Sequence, residues 1–195
     1  MKRKILTVLF ILGIAVLALN ASRGNDELKR MGIFLSNFTE LGMYDIDIDT
    51  VEDADLIRFG IGHNVINNPK STLKRCNLRD CEYGSSLMSG AAVAASVRKY
   101  FDLEVRHKNV LGHSPEAGYD GDNYHFNARD WHEDTVYYAE VQNVRQGRGF
   151  VQMDGELYNI KRKSDRPAYF VAKAKPYRYN GKNTWAILSL TTEWK

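Results

Sequence analysis

The hydrophobic period of this chain changes once, and that change limits the folds open to it. Over residues 26–41, Leu28, Met31, Phe34, Leu35, Phe38 and Leu41 recur at spacings of three and four, the mark of an amphipathic helix. Asn25 stands where an N-cap belongs and Gly42 where the helix should stop. Thr50 and Asp53 form an approximate capping box before a second periodic stretch. There Leu56, Phe59, His63 and Ile66 share one face, and Ile57, Ile61 and Val65 another. A helix apolar on most sides is expected to be largely buried. Asn67-Asn68-Pro69 ends it. A third helix is predicted over 86–101, capped by Ser85 or Ser86. Its small seam of Gly90, Ala91, Ala92, Ala94 and Ala95 invites a close neighbour, while Val93, Val97, Tyr100 and Phe101 supply bulk.

From residue 124 the pattern turns strand-like. The candidates are 124–129, 135–145, 149–153, 156–162, 168–175 and 184–193, rich in Tyr, Val, Phe, Ile, Thr and Trp. Gly147-Arg148-Gly149, Asp154-Gly155 and Asn180-Gly181 mark turns between them. Asp-Gly and Asn-Gly suit two-residue hairpins because both central residues need positive φ. Helices first and strands after define an α+β class. About three N-terminal helices (helical part 25–103) are expected to pack on a C-terminal antiparallel meander of five to six strands (124–195), as a single domain over 25–195.

The head of the chain bears on location. Lys2, Arg3 and Lys4 precede an apolar run from Ile5 to Leu19, and no further charge appears before Arg23. A basic stretch, an apolar core and a small residue, Ala21 or Gly24, describe a secretory signal peptide. As a helix the run spans about 22 Å, short of a hydrocarbon layer of roughly 30 Å. Extension to Ser22 gives the other reading, an uncleaved membrane anchor. Residues 1–24 are therefore expected to be a signal peptide or N-terminal anchor, and the rest to be exported: periplasmic, cell-surface, secreted or anchored. The whole chain has 27 basic and 24 acidic residues. Without the three leading cations the signs balance, which argues against a strongly cationic nucleic-acid binder.

Three stretches carry a likeness. They are Phe34-Leu35-Ser36-Asn37-Phe38-Thr39-Glu40, then Leu56-Ile57-Arg58-Phe59-Gly60-Ile61-Gly62-His63-Asn64 with Ile66-Asn67-Asn68, and Val97-Arg98-Lys99-Tyr100-Phe101 ahead of Tyr124-His125-Phe126. Over residues 31–145 the chain resembles uncharacterised exported bacterial proteins with a helical front and a Tyr-rich antiparallel back. The resemblance implies export and architecture. It carries over no catalytic residue.

Cys76 and Cys81 are the only cysteines. In an oxidising compartment the simpler reading is one disulfide pinning the connection into the third helix. A sharper reading makes Cys81 a nucleophile near a helix N-terminus, with His125 or His132 as base and Asp130 orienting it, the arrangement of papain-like and cell-wall cysteine peptidases. Asp80 and Glu82 beside that thiol oppose it. Asp45, Asp47 and Asp49 resemble the start of an EF-hand loop. Thr50 stands where the sixth position needs Gly, and Leu56 where the twelfth needs Glu, so a short strand with Ile inward is the better reading. His113, Glu116, Asp120, Asp122, His125, Asp130, His132, Glu133 and Asp134 crowd one stretch. Asp120, Asp122, His125 and His132 are its metal candidates, without the spacing of a known zinc motif. His63 reads as a buried, hydrogen-bonded core residue.

Charge is sorted along the chain. Residues 40–55 are acidic, whereas Arg145, Arg148, Lys161, Arg162, Lys163, Arg166, Lys173 and Lys175 make the back basic. That set is a candidate patch for an anionic polymer or membrane headgroup, or else a solvated face partly paired with the acidic front. No catalytic set has two independent supports and no cofactor is called for. The expectation is a non-catalytic, cell-envelope-associated binding or interaction module. Its partners would be an envelope polymer, a membrane surface or another envelope protein, with no nucleic acid. The alternative is a Cys-dependent peptidase or amidase using Cys81.

Overall fold

The computed structural model describes residues 24–77, 81–112, 114–132 and 135–195. The expected targeting segment, apart from Gly24, lies outside the described residues, as do Asp80, His113, Glu133 and Asp134. Among the described residues no helix is long and apolar enough to cross a membrane. The protein is α+β, with its helices toward the N-terminus and most of its antiparallel strands after them.

Residues 24–39 are helical (α1). They are followed by β1 (Ile46–Asp47), α2 (Asp53–Asn67) and the single turn α3 (Pro69–Thr72). Next come β2 (Lys74–Arg75), β3 (Ser86–Ser89), α4 (Gly90–Phe101), β4 (Ala117–Tyr119) and β5 (Asn123–Phe126). A 3-10 turn at Ala128–Trp131 leads to β6 (Tyr137–Gln146), β7 (Val151–Asn159), β8 (Ala168–Tyr179) and β9 (Lys182–Trp194). The strands form two sheets, one of order β1-β9-β8-β7-β6 and one of order β2-β3-β5-β4. All pairings are antiparallel.

The two apolar faces of α2 go to two different cores. Leu56 and Phe59 join Phe34, Leu35, Phe38, Phe101, Met153 and Phe170 against the large sheet. Ile57, Ile61 and Val65 join Met88, Tyr124, Phe126 and Trp131 against the small one. The two-sided helix in the sequence is thus a wall shared by both sheets. Its close neighbour is α4, but only part of the small seam faces inward, since Ala91 and Ala95 are exposed while Ala92 packs on the second core. The small residue sits on α2 instead: a Cβ on Gly60 would lie 2.6 Å from a Val93 methyl. Beside it Asn64 Nδ2 donates to Ser96 Oγ at 2.9 Å and to the Ala92 carbonyl at 3.1 Å.

Several local expectations change. Asn25 lies within α1 rather than capping it, and α2 has Glu52 at its N-cap with no side-chain bond, so Thr50 and Asp53 form no capping box. Ser86–Ser89, expected inside a helix, pairs with β5, and α4 is capped instead by Ser89, whose hydroxyl accepts from Ala92 N. Asp154-Gly155 does not turn, because β7 runs straight through it. Opposite, β6 carries a bulge between Val141 and Asn143. The Glu140 carbonyl then sits so close to Gly155 that any Cβ there would collide with it. Asn180-Gly181 does make the hairpin between β8 and β9, with φ of 48° and 78°.

Helix α1 closes the β6 edge of the large sheet. Ser36 Oγ accepts from Ala139 N at 3.0 Å, and Thr39 Oγ1 donates to the Tyr137 carbonyl at 2.7 Å. Gly32 permits the approach, as its Cβ would lie 2.8 Å from the Ala139 carbonyl oxygen. The Ser36→Ala variant leaves the buried Ala139 N–H without its acceptor, which should cost about 1–3 kcal/mol. Tm should fall by roughly 3–10 °C for a chain of this size. An unchanged Tm in a thermal scan would show that the helix does not serve that edge.

Candidate functional site

Between α1 and β6 lies a groove of about 420 Å³. Its walls carry Ser36 and Asn37 from the end of α1, Glu40 just after it, Asn67 from α2, Tyr138 from β6 and Tyr158 from β7. Glu40 is the notable member, a carboxyl only 5% exposed. Burial raises its pKa from the ordinary value, against the pull of a hydrogen bond from Asn67. That bond, Asn67 Nδ2 to Glu40 Oε1, is 2.5 Å. The same amide approaches His63 Nδ1 at 3.3 Å, so an accepting Nδ1 leaves His63 protonated at Nε2.

Behind the groove this polar line meets aromatic rings. His63 stacks on Phe59 with ring centroids 5.6 Å apart and meets Tyr100 edge-on at 4.7 Å. Burial, with the Lys99 charge second, pushes its pKa down to about 4. The Tyr100 hydroxyl donates to Asn37 Oδ1 at 3.2 Å and accepts from Lys99 Nζ at 3.0 Å. Its pKa is raised by burial and then by Glu40. At the groove's rim, Tyr138 and Tyr158 meet edge-to-face, 6.2 Å between centroids, and Arg166 bonds Glu140 at 2.5 Å. Perturbed groups gathered in a concavity mark a functional candidate.

A second constellation lies on the small sheet. Cys76 and Cys81 form a disulfide. The sulphur facing His125 is that of Cys76, with Sγ 3.7 Å from Nδ1. The other ring nitrogen, Nε2, meets Asp120 Oδ2 at 2.6 Å. Asp120 is fixed by backbone donors, Asn123 N at 2.7 Å and Asp122 N at 2.9 Å on Oδ1. The His125 bond, followed by these N–H groups, holds its carboxyl well below the usual range. Asp130 is not in this set, for its Oδ1 accepts from Asn127 Nδ2, and His132 is exposed at the end of the 3-10 turn. In chain order β3 comes between Cys81 and α4, so Cys81 does not lead directly into a helix. Among the described residues no three His, Cys, Asp or Glu side chains gather as a metal site. Asp122 contributes its backbone, Asp47 caps Asp49 N, and Asp45 accepts from Thr192 N.

The basic back is distributed among nearby acids. Arg145 pairs with Asp154, Arg162 with Asp165, Arg166 with Glu140 and Glu156, and Lys175 with Asp102. Lys173 lies over the Phe150 ring. Arg148 is in the exposed β6–β7 turn, and Lys161 and Lys163 are in the exposed turn after β7. Within the acidic front, Asp53 meets Arg106 and Asp55 meets Arg58. Arg145, Arg162, Arg166 and Lys175 of the back and Asp53 and Asp55 of the front are thus answered locally.

In the sequence Glu40 stands as one member of the acidic run 40–55 and is not singled out. Its signal was the line Gly32, Ser36, Glu40, spaced by four beside the apolar stripe. Comparison with protein-family models, with curated proteins and with solved structures finds no match to this chain.

The buried histidine sets a pH dependence. An unfolded imidazole protonates near 6.5, whereas folded His63 resists until about 4. Its contribution is complete above pH 6.5 and is lost as pH falls toward 4. Between pH 7 and pH 5 the loss is about 2 kcal/mol. The raised Glu40 acts in the opposite sense, its contribution declining as pH rises above the unfolded carboxyl's value near 4.5. Urea unfolding at pH 7 and pH 5 should show a smaller acid loss in His63→Gln than in the parent. Equal losses would assign the dependence elsewhere.

Proposed function

We propose that this protein is an exported, cell-envelope-associated binding module whose α1–β6 groove holds a polyhydroxylated ligand of the saccharide class. The observation that carries the reading is the carboxyl of Glu40, 5% exposed at a groove wall. Burying a carboxyl costs free energy, and helix packing alone does not call for one there. Around it stand amides (Asn37, Asn67), a second carboxyl (Glu140) and two phenols (Tyr138, Tyr158). Such groups offer donors and acceptors at short intervals, as a ring bearing several hydroxyls needs. The Tyr rings supply flat surface for its C–H faces.

Export is supported by the basic-then-apolar head of the chain and by the disulfide, which persists in oxidising compartments. A saccharide fits the envelope polymer expected there. An anionic polymer fits less well, because four cations of the basic back already meet carboxylates.

Calorimetric titration with short N-acetylglucosamine oligomers tests the reading. Binding should weaken roughly three- to tenfold in Tyr138→Ala, the range of one aromatic contact, and weaken also in Glu40→Gln. Tyr169→Ala, on the outer face of β8, should bind as the parent does. Absence of binding to every oligomer, or equal affinity in all three variants, would reject it.

A further inference from the structure

Cys76, His125 and Asp120 stand in line, and a structural disulfide needs neither of the last two. The ring closed by Cys76 and Cys81 is short, with a sequence separation of 5, and loop-closure stabilisation is least for short loops. Yet His125 is only 8% exposed, held against Cys76 Sγ on one side and Asp120 Oδ2 on the other. Burying the imidazole costs desolvation, and exposed Asp120 answers it from the solvent side; a clip requires neither. The carboxylate fixes which nitrogen is which: Nε2 keeps its proton toward Asp120, and Nδ1 is the atom presented to sulphur. The two sulphurs also differ, since Cys76 is 7% exposed while Cys81 is half-buried.

We propose that Cys76–Cys81 is a redox-active disulfide that oxidises dithiols, with His125 as the catalytic acid–base at Cys76 and Asp120 as its positioning residue. One thiol of the dithiol, its proton given up to solvent, attacks Cys81 Sγ, the sulphur of the less buried cysteine. The new S–S bond forms as the Cys76–Cys81 bond breaks. The electron pair leaves on Cys76 Sγ, where the proton on His125 Nδ1 meets it. The second substrate thiol, deprotonated in turn, attacks the substrate sulphur of the mixed disulfide and expels the Cys81 thiolate, which takes a proton from solvent while solvent returns one to His125 Nδ1. Two electrons and two protons pass from the dithiol to the protein, which ends with two thiols. Stabilising the leaving thiolate speeds exchange, and an imidazolium beside Cys76 does this. The site lies on the small sheet and stands or falls apart from the saccharide reading.

Dithiothreitol is the probe. Reduction of the intact disulfide, quenched by alkylation and counted by mass, should be slower in His125→Gln by about tenfold or more. Asp120→Asn should displace the pH profile of that rate to lower pH, because the imidazolium has lost its carboxylate. A role in packing alone would leave the profile in place. In Cys81→Ser the sole thiol is Cys76, and its thiolate absorbance should titrate below the ordinary value of about 8.5. Adding His125→Gln should raise that titration. Equal reduction rates, or a Cys76 thiol titrating at or above the ordinary value, would overturn the proposal. The second readout decides alone if His125→Gln fails to fold.

Discussion

A helix with two apolar faces cannot satisfy both against one sheet, and α2 resolves this by standing between two. Leu56 and Phe59 belong to one core and Ile57, Ile61 and Val65 to the other. Each face needs its own cover, so the chain supplies a large sheet from its C-terminal half and a small one from the middle. The tight seam with α4 at Gly60 and Asn64 then fixes how the helices stand. Both candidate sites inherit their geometry from this wall. His63 and Asn67 extend from α2 toward the groove. Phe126, the neighbour of His125 on β5, packs with Ile57 and Ile61 in the second core.

Much of the fold was legible because it follows from periodicity. The C-terminal ends of α1 and α2, the two faces of α2 and the Asn180-Gly181 hairpin are all local statements about spacing and φ. What escaped was decided across strands. Asp154-Gly155 has the composition of a turn, but the bulge in β6 places the Glu140 carbonyl where only a glycine fits. Ser86–Ser89 has a capping composition, but pairing with β5 takes it into a strand. Neither partner can be read from the segment itself.

The same distinction governs the sites. The cysteine pair and His125 were recognisable as residue types. Which sulphur faces the imidazole depends on how β2, β3 and β5 lie side by side, and that places Cys76, not Cys81, over His125. Asp120 was visible as an acid near a histidine; its role comes from a turn that aims one oxygen at Nε2 and gives the other to backbone N–H groups. Glu40 was hidden because a carboxylate in an acidic run is ordinarily solvated. Its burial comes from neighbours distant in sequence: α1 lies close to β6 at Gly32, and Asn67 of α2 bonds the carboxyl.

The edges of the large sheet have a bearing on self-association. An open sheet ends in two strands with unpaired backbone groups, and such edges recruit further strands from other molecules. Here one edge is β1, only two residues long. The other, β6, is ten residues long, but α1 occupies the backbone groups of Tyr137 and Ala139. Past that cover comes the bulge between Val141 and Asn143, which interrupts the regular ladder and twists the strand. Arg145 then adds a charge to the remainder. The bulge that fits Gly155 therefore also denies a second copy of this chain a straight template to extend.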